Sequence, residues 1–331
     1  MFFNEEAKLK FISVVSEKET VHLHYKKIFS SSYDYEVKLN KDLAEFSKDE
    51  MQQLFNDIGG ARHSSKITFM NLIKPYIKWA KDNGFDVSFD PNSDINYAGD
   101  SVAKFRGKMV FSPEHLEKYM TAVFGSADDE TVGVIYRCCL WLAFCNVDLE
   151  DAMQLRSSDV DAKMMRVLVN GSEVPLYKES VRAFELAKNL TKFRVIRQNT
   201  DVEIFMDRED GTRLLRASKR NGVSKKEYDN TRMLTGEIAR NIRFAYNEGR
   251  IITRVGYSSV KLSGIFYRAF LREQMGMEPN FQGIVDLEMA KYHTDNHLNY
   301  NSKKCRTLGN YKRDYEIWKL AYKMFEEDSR L

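Results

Sequence analysis

The chain has 331 residues, 43% hydrophobic and 30% charged, which excludes a disordered polypeptide and, at about 150 residues per domain, points to two domains. Its longest apolar run, Val132 to Phe144, is interrupted by Arg137 and falls short of the roughly 20 residues of a membrane-spanning helix. The net charge of +3 hides an asymmetry: residues 1–110 carry 16 basic and 16 acidic side chains, whereas residues 211–272 carry 14 basic and 4 acidic, net +10.

Met1-Phe2-Phe3 is followed at once by Asn4-Glu5-Glu6, without the basic start and apolar stretch of a secretory signal, so the expected compartment is cytoplasmic. Ser16-Glu17-Lys18-Glu19 caps a helix through Val21, Leu23, Tyr25, Ile28 and Phe29. Leu43, Phe46, Met51, Leu54, Phe55 and Ile58 follow at helical spacing, split by Ser47 and Glu50, which form a capping box. Ser64-Ser65 opens a third helix with Ile67, Met70, Ile73, Ile77 and Trp79, stopped at Asn83-Gly84. The polar stretch from Asp90 to about Gly107 reads as a linker.

Ser112-Pro113-Glu114 starts the next helix, with proline where its missing N–H costs nothing. Val132 to Phe144 reads as a buried helix carrying Cys138 and Cys139; four cysteines without CxxC spacing give neither a disulfide framework nor a zinc site. Asp148 resembles an N-cap leading into Met153 and Leu155. Met165 to Val169, Asn170-Gly171 and Ser172 to Leu176 predict a β-hairpin. Helices are predicted at Glu179–Thr191, roughly Leu234–Glu248, Ser259–Met275 and Asp314–Glu327, with a short strand at Val202–Met206. The class is mainly α with a small β-sheet.

Two stretches carry a family resemblance. Lys41-Asp42-Leu43, Phe46, Asp49-Glu50-Met51 and Tyr76-Ile77-Lys78-Trp79 resemble the helical core-binding domain of tyrosine recombinases, the phage integrases. Residues 112–176, with Leu149 to Leu155, Ser158-Asp159-Val160-Asp161 and the hairpin, resemble the start of the recombinase catalytic domain; residues 255–275 and 305–320 resemble its later helices and tyrosine region. The resemblance implies a two-domain architecture: a helical, SAM-like core-binding domain with linker at 1–110, and a catalytic-like domain at 111–331.

In that family a tyrosine attacks a DNA phosphodiester while arginines, a histidine or lysine, and a hairpin lysine manage charge and protons. Preorganised cations of this kind usually supply the largest catalytic contribution. Here the pattern is degenerate. Asp148 stands where the first arginine belongs; the hairpin turn has no lysine, Lys163 and Lys178 only flanking it. The His-x-Leu-Arg box becomes Val260-Lys261-Leu262-Ser263. Tyr311 lies where the nucleophile is expected, with Tyr315 as a second candidate.

His293 and His297 have the i, i+4 spacing of metal ligands, but Thr294 replaces the glutamate of HExxH. No metal site and no cofactor are expected. The resemblance therefore implies a sequence-specific double-stranded DNA-binding protein without catalytic residues, a prophage transcriptional repressor that maintains lysogeny. Its partners would be operator sites, with further copies of itself on DNA and no membrane, in the bacterial cytoplasm at the nucleoid. The candidate DNA contacts are Lys66 and Thr68 at a helix start, Arg216, Lys219, Arg220, Lys225 and Lys226 in the basic run, and Arg254 and Lys261. Charge changes at Lys8, Lys10 and Lys18, in the electrically balanced residues 1–110, are expected to matter less for DNA binding than changes in the basic run. The competing explanations are a solvated basic surface and an ordinary capped helix at Ser64. The rival function is an active recombinase with a rearranged site built from Arg137, Arg268 and Tyr311; for Arg137 the plainer role is a buried ion pair. The terminal residues 314–331 either exchange between copies or fold back on their own domain.

Overall fold

The computed structural model describes residues 2–58, 63–90, 101–125, 133–189, 192–197, 200–205, 213–215, 227–290 and 297–328. The chain divides into two units: Met1–Phe105 with Phe281–Met324, and Arg106–Asn280 with Phe325–Leu331. Helices dominate both, and the main sheet is small.

In the first unit, α1 (Glu5–Val15), α2 (Glu19–Leu39), α3 (Lys48–Ile58) and α4 (His63–Asp82) enclose a core built on Phe11, Phe29, Leu54, Phe55, Ile73 and Tyr76. On α2 the buried positions Tyr25, Ile28, Phe29, Ser32 and Glu36 recur at helical spacing. The capping box opens α3: Glu50 N–H donates to Ser47 Oγ at 3.3 Å, and Ser47 N–H donates to Glu50 Oε2 at 2.7 Å. Gly84, with φ +86°, follows α4 in the left-handed region that lets a helix end.

Helix α1 was not foreseen because its inward face carries a charge. Lys8 is fully buried, so replacing it would disturb the core as well as change the charge. Its ammonium is ion-paired with Glu36 and lies 3.8 Å from Asp42. Glu36 also accepts from the Leu43 amide at 2.7 Å and the Ser32 hydroxyl at 3.0 Å. Asp42 accepts from the Tyr76 hydroxyl at 2.9 Å and the Ala44 amide at 2.9 Å. Burial pushes the Glu36 carboxyl up, against the pull of Lys8, and pushes the Tyr76 phenol up strongly. Buried charges persist only when paired and hydrogen-bonded in this way. The unit also contains α12 (Phe281–Ala290), absent from the sequence reading, and most of α13 (His297–Asp328). The helix expected at 314–327 is thus the second half of a 32-residue helix.

The stretch expected to be a linker contains a short helix, α5 (Ser101–Arg106). In the second unit α6 (Pro113–Phe124) starts as predicted: Ser112 Oγ accepts from the His115 amide at 3.1 Å, with Pro113 in the first turn. All twelve residues of α7 (Gly133–Phe144) are buried. Arg137 tolerates this because its guanidinium reaches Glu117 at 2.6 Å, Thr121 Oγ1 at 3.0 Å and the Gly125 carbonyl.

The strands β1 (Val160–Asp161), β2 (Arg166–Val169) and β3 (Ser172–Pro175) form an antiparallel sheet in chain order. Asn170 and Gly171 both have positive φ, +49° and +78°, as the two-residue hairpin turn requires. Helix α9 (Val181–Asn189) lies within the predicted Glu179–Thr191, whose last two positions are outside the described residues; β4 (Lys192–Arg197) pairs with β5 (Thr200–Phe205), near the strand expected at Val202–Met206. Helix α10 (Glu227–Asn247) begins earlier than the expected Leu234, and α11 (Tyr257–Gln274) follows the predicted span closely. At the chain end Phe325 stacks on His115, centroids 4.6 Å apart, and Asp328 pairs with Arg106, both contacts inside this unit. Burial, with Lys118 nearby, pushes the His115 imidazole down to about 4, so the stacked ring is neutral.

Helices α7 and α11 meet without a side chain between them. A Cβ on Gly264 would lie 1.8 Å from the Phe144 carbonyl oxygen. Overpacking of this kind costs about 1–3 kcal/mol, and backbone atoms cannot swing aside. Gly264→Ala is therefore expected to lower stability by about 2 kcal/mol despite alanine's better helix propensity. Gly236, on α10, has open space around it, and Gly236→Ala should raise stability by up to about 1 kcal/mol. Urea unfolding of the two variants checks the opposite signs.

Candidate nucleic-acid interface

The end of α7 sets the geometry of the degenerate site. Asn146, φ +65°, takes the left-handed position after the helix; its amide donates to the Ala143 carbonyl at 2.8 Å, and the Val147 amide donates to the Leu142 carbonyl at 2.9 Å. This paired closure turns the chain sharply. The Phe144 carbonyl receives the Arg268 guanidinium at 2.5 Å, a cation at a helix C-terminus.

After that turn Asp148 occupies the N-cap position of α8 (Leu149–Gln154), with φ −72° and ψ 148°, but its side chain makes no capping bond. Its carboxylate instead forms an ion pair with Lys261 on α11. Asp148 therefore ties the start of α8 to α11. Val260 is fully buried in the core. Ser263, also fully buried, accepts from the Val110 amide at 3.1 Å and donates to the Ser259 carbonyl at 2.7 Å. Tyr257 donates to the Val147 carbonyl at 3.0 Å, and burial, with the Asp148 and Asp151 charges adding to it, pushes its phenol up. Asn170 of the hairpin turn donates to Asp151 at 3.0 Å, which ties the turn to α8. Lys178 points to solvent with Glu179 3.6 Å away.

Tyr311 belongs to the other unit, on α13. It is buried, donates to Glu288 and stacks on Phe281, with centroids 6.1 Å apart.

Of the candidate DNA contacts, Arg216, Lys219, Arg220, Lys225 and Lys226 lie outside the described residues. Lys66 lies in the first turn of α4, where only its backbone is described, and Thr68 is exposed on the same helix. Arg254 is exposed and sits over the Tyr246 ring, 5.1 Å from its centroid. His293 also lies outside the described residues, and of His297 only the backbone is described. Among the described residues no group of three or more His, Cys, Asp or Glu side chains gathers to hold a metal. No described helix is long and apolar enough to cross a membrane.

Helix α10 turns Leu234, Ile238, Ile242 and Ala245 into the core. The same period presents Arg240, Arg243, Phe244, Tyr246 and Asn247 to solvent. Neither Arg240 nor Arg243 joins an ion pair among the described residues. Arg250, by contrast, is engaged: it donates to Glu248 at 2.8 Å and to the Ala122 and Val123 carbonyls at 2.6 and 3.1 Å. Charge counting alone does not separate Arg250 from its neighbours. The exposed aromatic positions were missed, although the inward stripe on α10 marks them.

Residues 2–82 match the family model described as MrpR, N-terminal core-binding domain. No curated protein matches the chain. Among solved structures it is similar to XerA recombinase, at 14% identity and a TM-score of 0.31, over 82% of this chain and 86% of that one. A Tn1549 transposon integrase in complex with circular intermediate DNA is similar at 14% identity and a TM-score of 0.38, over 89% of this chain and 94% of that one.

The Asp148–Lys261 pair is partly exposed, at 33% and 19%, so its stabilising effect is small. A double-mutant cycle of Asp148→Ala and Lys261→Ala, read by urea unfolding, should give a favourable coupling of about 0.5–1 kcal/mol that shrinks in high salt. A coupling within error of zero would show that the two side chains do not meet in solution.

Proposed function

We propose that this chain is a sequence-specific double-stranded DNA-binding protein that does not recombine, used as a prophage transcriptional repressor that maintains lysogeny. The observation that carries the reading is the Asp148–Lys261 pair. Phosphoryl transfer to a tyrosine builds negative charge on phosphoryl oxygens, and preorganised cations must meet it. Here a carboxylate holds the position of one such cation and engages Lys261, the one lysine beside the lost His and Arg positions. A phenol, with an ordinary pKa near 10, gains no help from this arrangement.

The rearranged site has no support of its own. Arg137 is held by Glu117, Thr121 and Gly125, Arg268 by the Phe144 carbonyl, and Tyr311 donates to Glu288.

Binding needs less than catalysis does. Cations facing a phosphate backbone release condensed counterions, and this term dominates affinity. Arg240, Arg243 and Arg254 are available for it, within a segment of net +10. The match to an MrpR core-binding domain supports a second lobe on the duplex. The chain also resembles the master lysogeny repressors of SPbeta-like Bacillus prophages, which supports a role at operators on the nucleoid, in the bacterial cytoplasm. Blocking an operator requires occupancy alone, and several copies on neighbouring sites would raise it.

Electrophoretic shifts across a salt series test this reading. With about six phosphates neutralised, log affinity against log salt should fall with a slope of about −5. Replacing Arg240, Arg243 and Arg254 together by alanine should flatten the slope by roughly 3 and weaken binding on every sequence. An unchanged slope would show that DNA lies on another face.

A further inference from the structure

The short connection between α10 and α11 holds an isoleucine out in water. Ile252 is 90% exposed, while its neighbours Ile251 and Val255 are buried at 8% and 1%. The connection is fixed at each end. Gly249, φ +72°, lets α10 stop, and the Arg250 amide returns to the Ala245 carbonyl at 2.9 Å. The Arg250 side chain grips the last carbonyls of α6. On the other side Tyr119 Oη accepts from the Val255 amide at 2.9 Å and donates to the Val255 carbonyl at 3.2 Å. A tethered loop of this kind does not fold its tip inward, so Ile252 stays exposed while the loop keeps its shape.

The surroundings of the tip are cationic and aromatic. Arg254 lies over Tyr246, and Arg250 lies 5.8 Å from the Phe244 ring centroid. Arg240 and Arg243 continue the same exposed helix surface. An apolar tip beside arginines suits the minor groove, where aliphatic side chains wedge between base pairs and arginines follow the narrow, strongly negative walls. A protein partner would also accept Ile252, but the exposed arginines Arg240, Arg243 and Arg254 select an anionic surface.

We propose that the loop at residues 249–255 is a minor-groove reader, with Ile252 as a wedge that partly unstacks and kinks duplex DNA at a flexible pyrimidine–purine step. This rests on the DNA-binding reading and adds to it a source of sequence preference without base hydrogen bonds.

The test uses the full chain and a duplex of about 30 base pairs with central TA steps, labelled at both ends for energy transfer, in low salt. The wild-type chain should bind and shorten the end-to-end distance. Ile252→Ala should remain folded, since the side chain packs against little, but lose most of the bend and bind about tenfold more weakly. Ile252→Met, still long and apolar, should restore most of both. Binding with no bend, or a bend and affinity that Ile252→Ala leaves unchanged, overturns the wedge and leaves the DNA-binding reading intact; Ile252 then serves a protein partner or nothing. Failure of the wild-type chain to bind any duplex overturns that reading and the wedge with it.

Discussion

At Gly264 two helices touch backbone to backbone, and much of the second unit depends on that approach. Every residue of helix α7 is buried, so it must be covered all round, and α11 covers it closely enough that Gly264 meets the Phe144 backbone. One turn beyond Gly264, on the same face, Arg268 closes the Phe144 carbonyl. The small residue permits the approach and the long cation satisfies the helix end it exposes. Lys261 and Ser263 are fixed by the same packing. Ser263 binds the chain before α6, and Lys261 reaches the carboxylate that the Asn146 turn delivers. A bulkier residue at position 264 would displace this whole face.

Positive charge in this unit is sorted by burial. Arg137, Arg268 and Lys261 each answer an internal need: a half-buried carboxylate, a helix terminus, a neighbouring aspartate. Arg250 does the same at the end of α6. Arg240, Arg243 and Arg254 have no such obligation and stay in water. On the proposed reading, these exposed arginines are the cations suited to an extended phosphate backbone. A fold laid out in this way supports occupancy of DNA more readily than chemistry on it.

Much of this was legible beforehand because local rules decide it. The capping box at Ser47 and Glu50, proline at the start of α6 and the Asn170-Gly171 turn are short-range signals, and each formed as expected. A continuous apolar run marked α7, and α11 was expected close to where it formed. What escaped depends on distant partners. Lys8 is a core residue only because Glu36 and Asp42 come to meet it, and a lysine in a helix pattern otherwise signals surface. Asp148 had the right backbone for a cap, but its carboxylate found a stronger partner more than a hundred residues away. The exposure of Ile252 follows from tethers on α6 that the local sequence does not contain.

The central claim is that the chain occupies duplex DNA without forming a covalent bond to it. The most direct test takes fragments that the full chain retains in a native gel, nicks them at successive positions through the protected stretch to trap any cleavage, and resolves the same mixtures in denaturing detergent. The expected result is full retardation in the native gel and free DNA in the denaturing one at every nick position. A detergent-resistant protein–DNA species that disappears with Tyr311→Phe would contradict the account, because it would require the phenol to attack a phosphate despite its bond to Glu288 and despite Asp148.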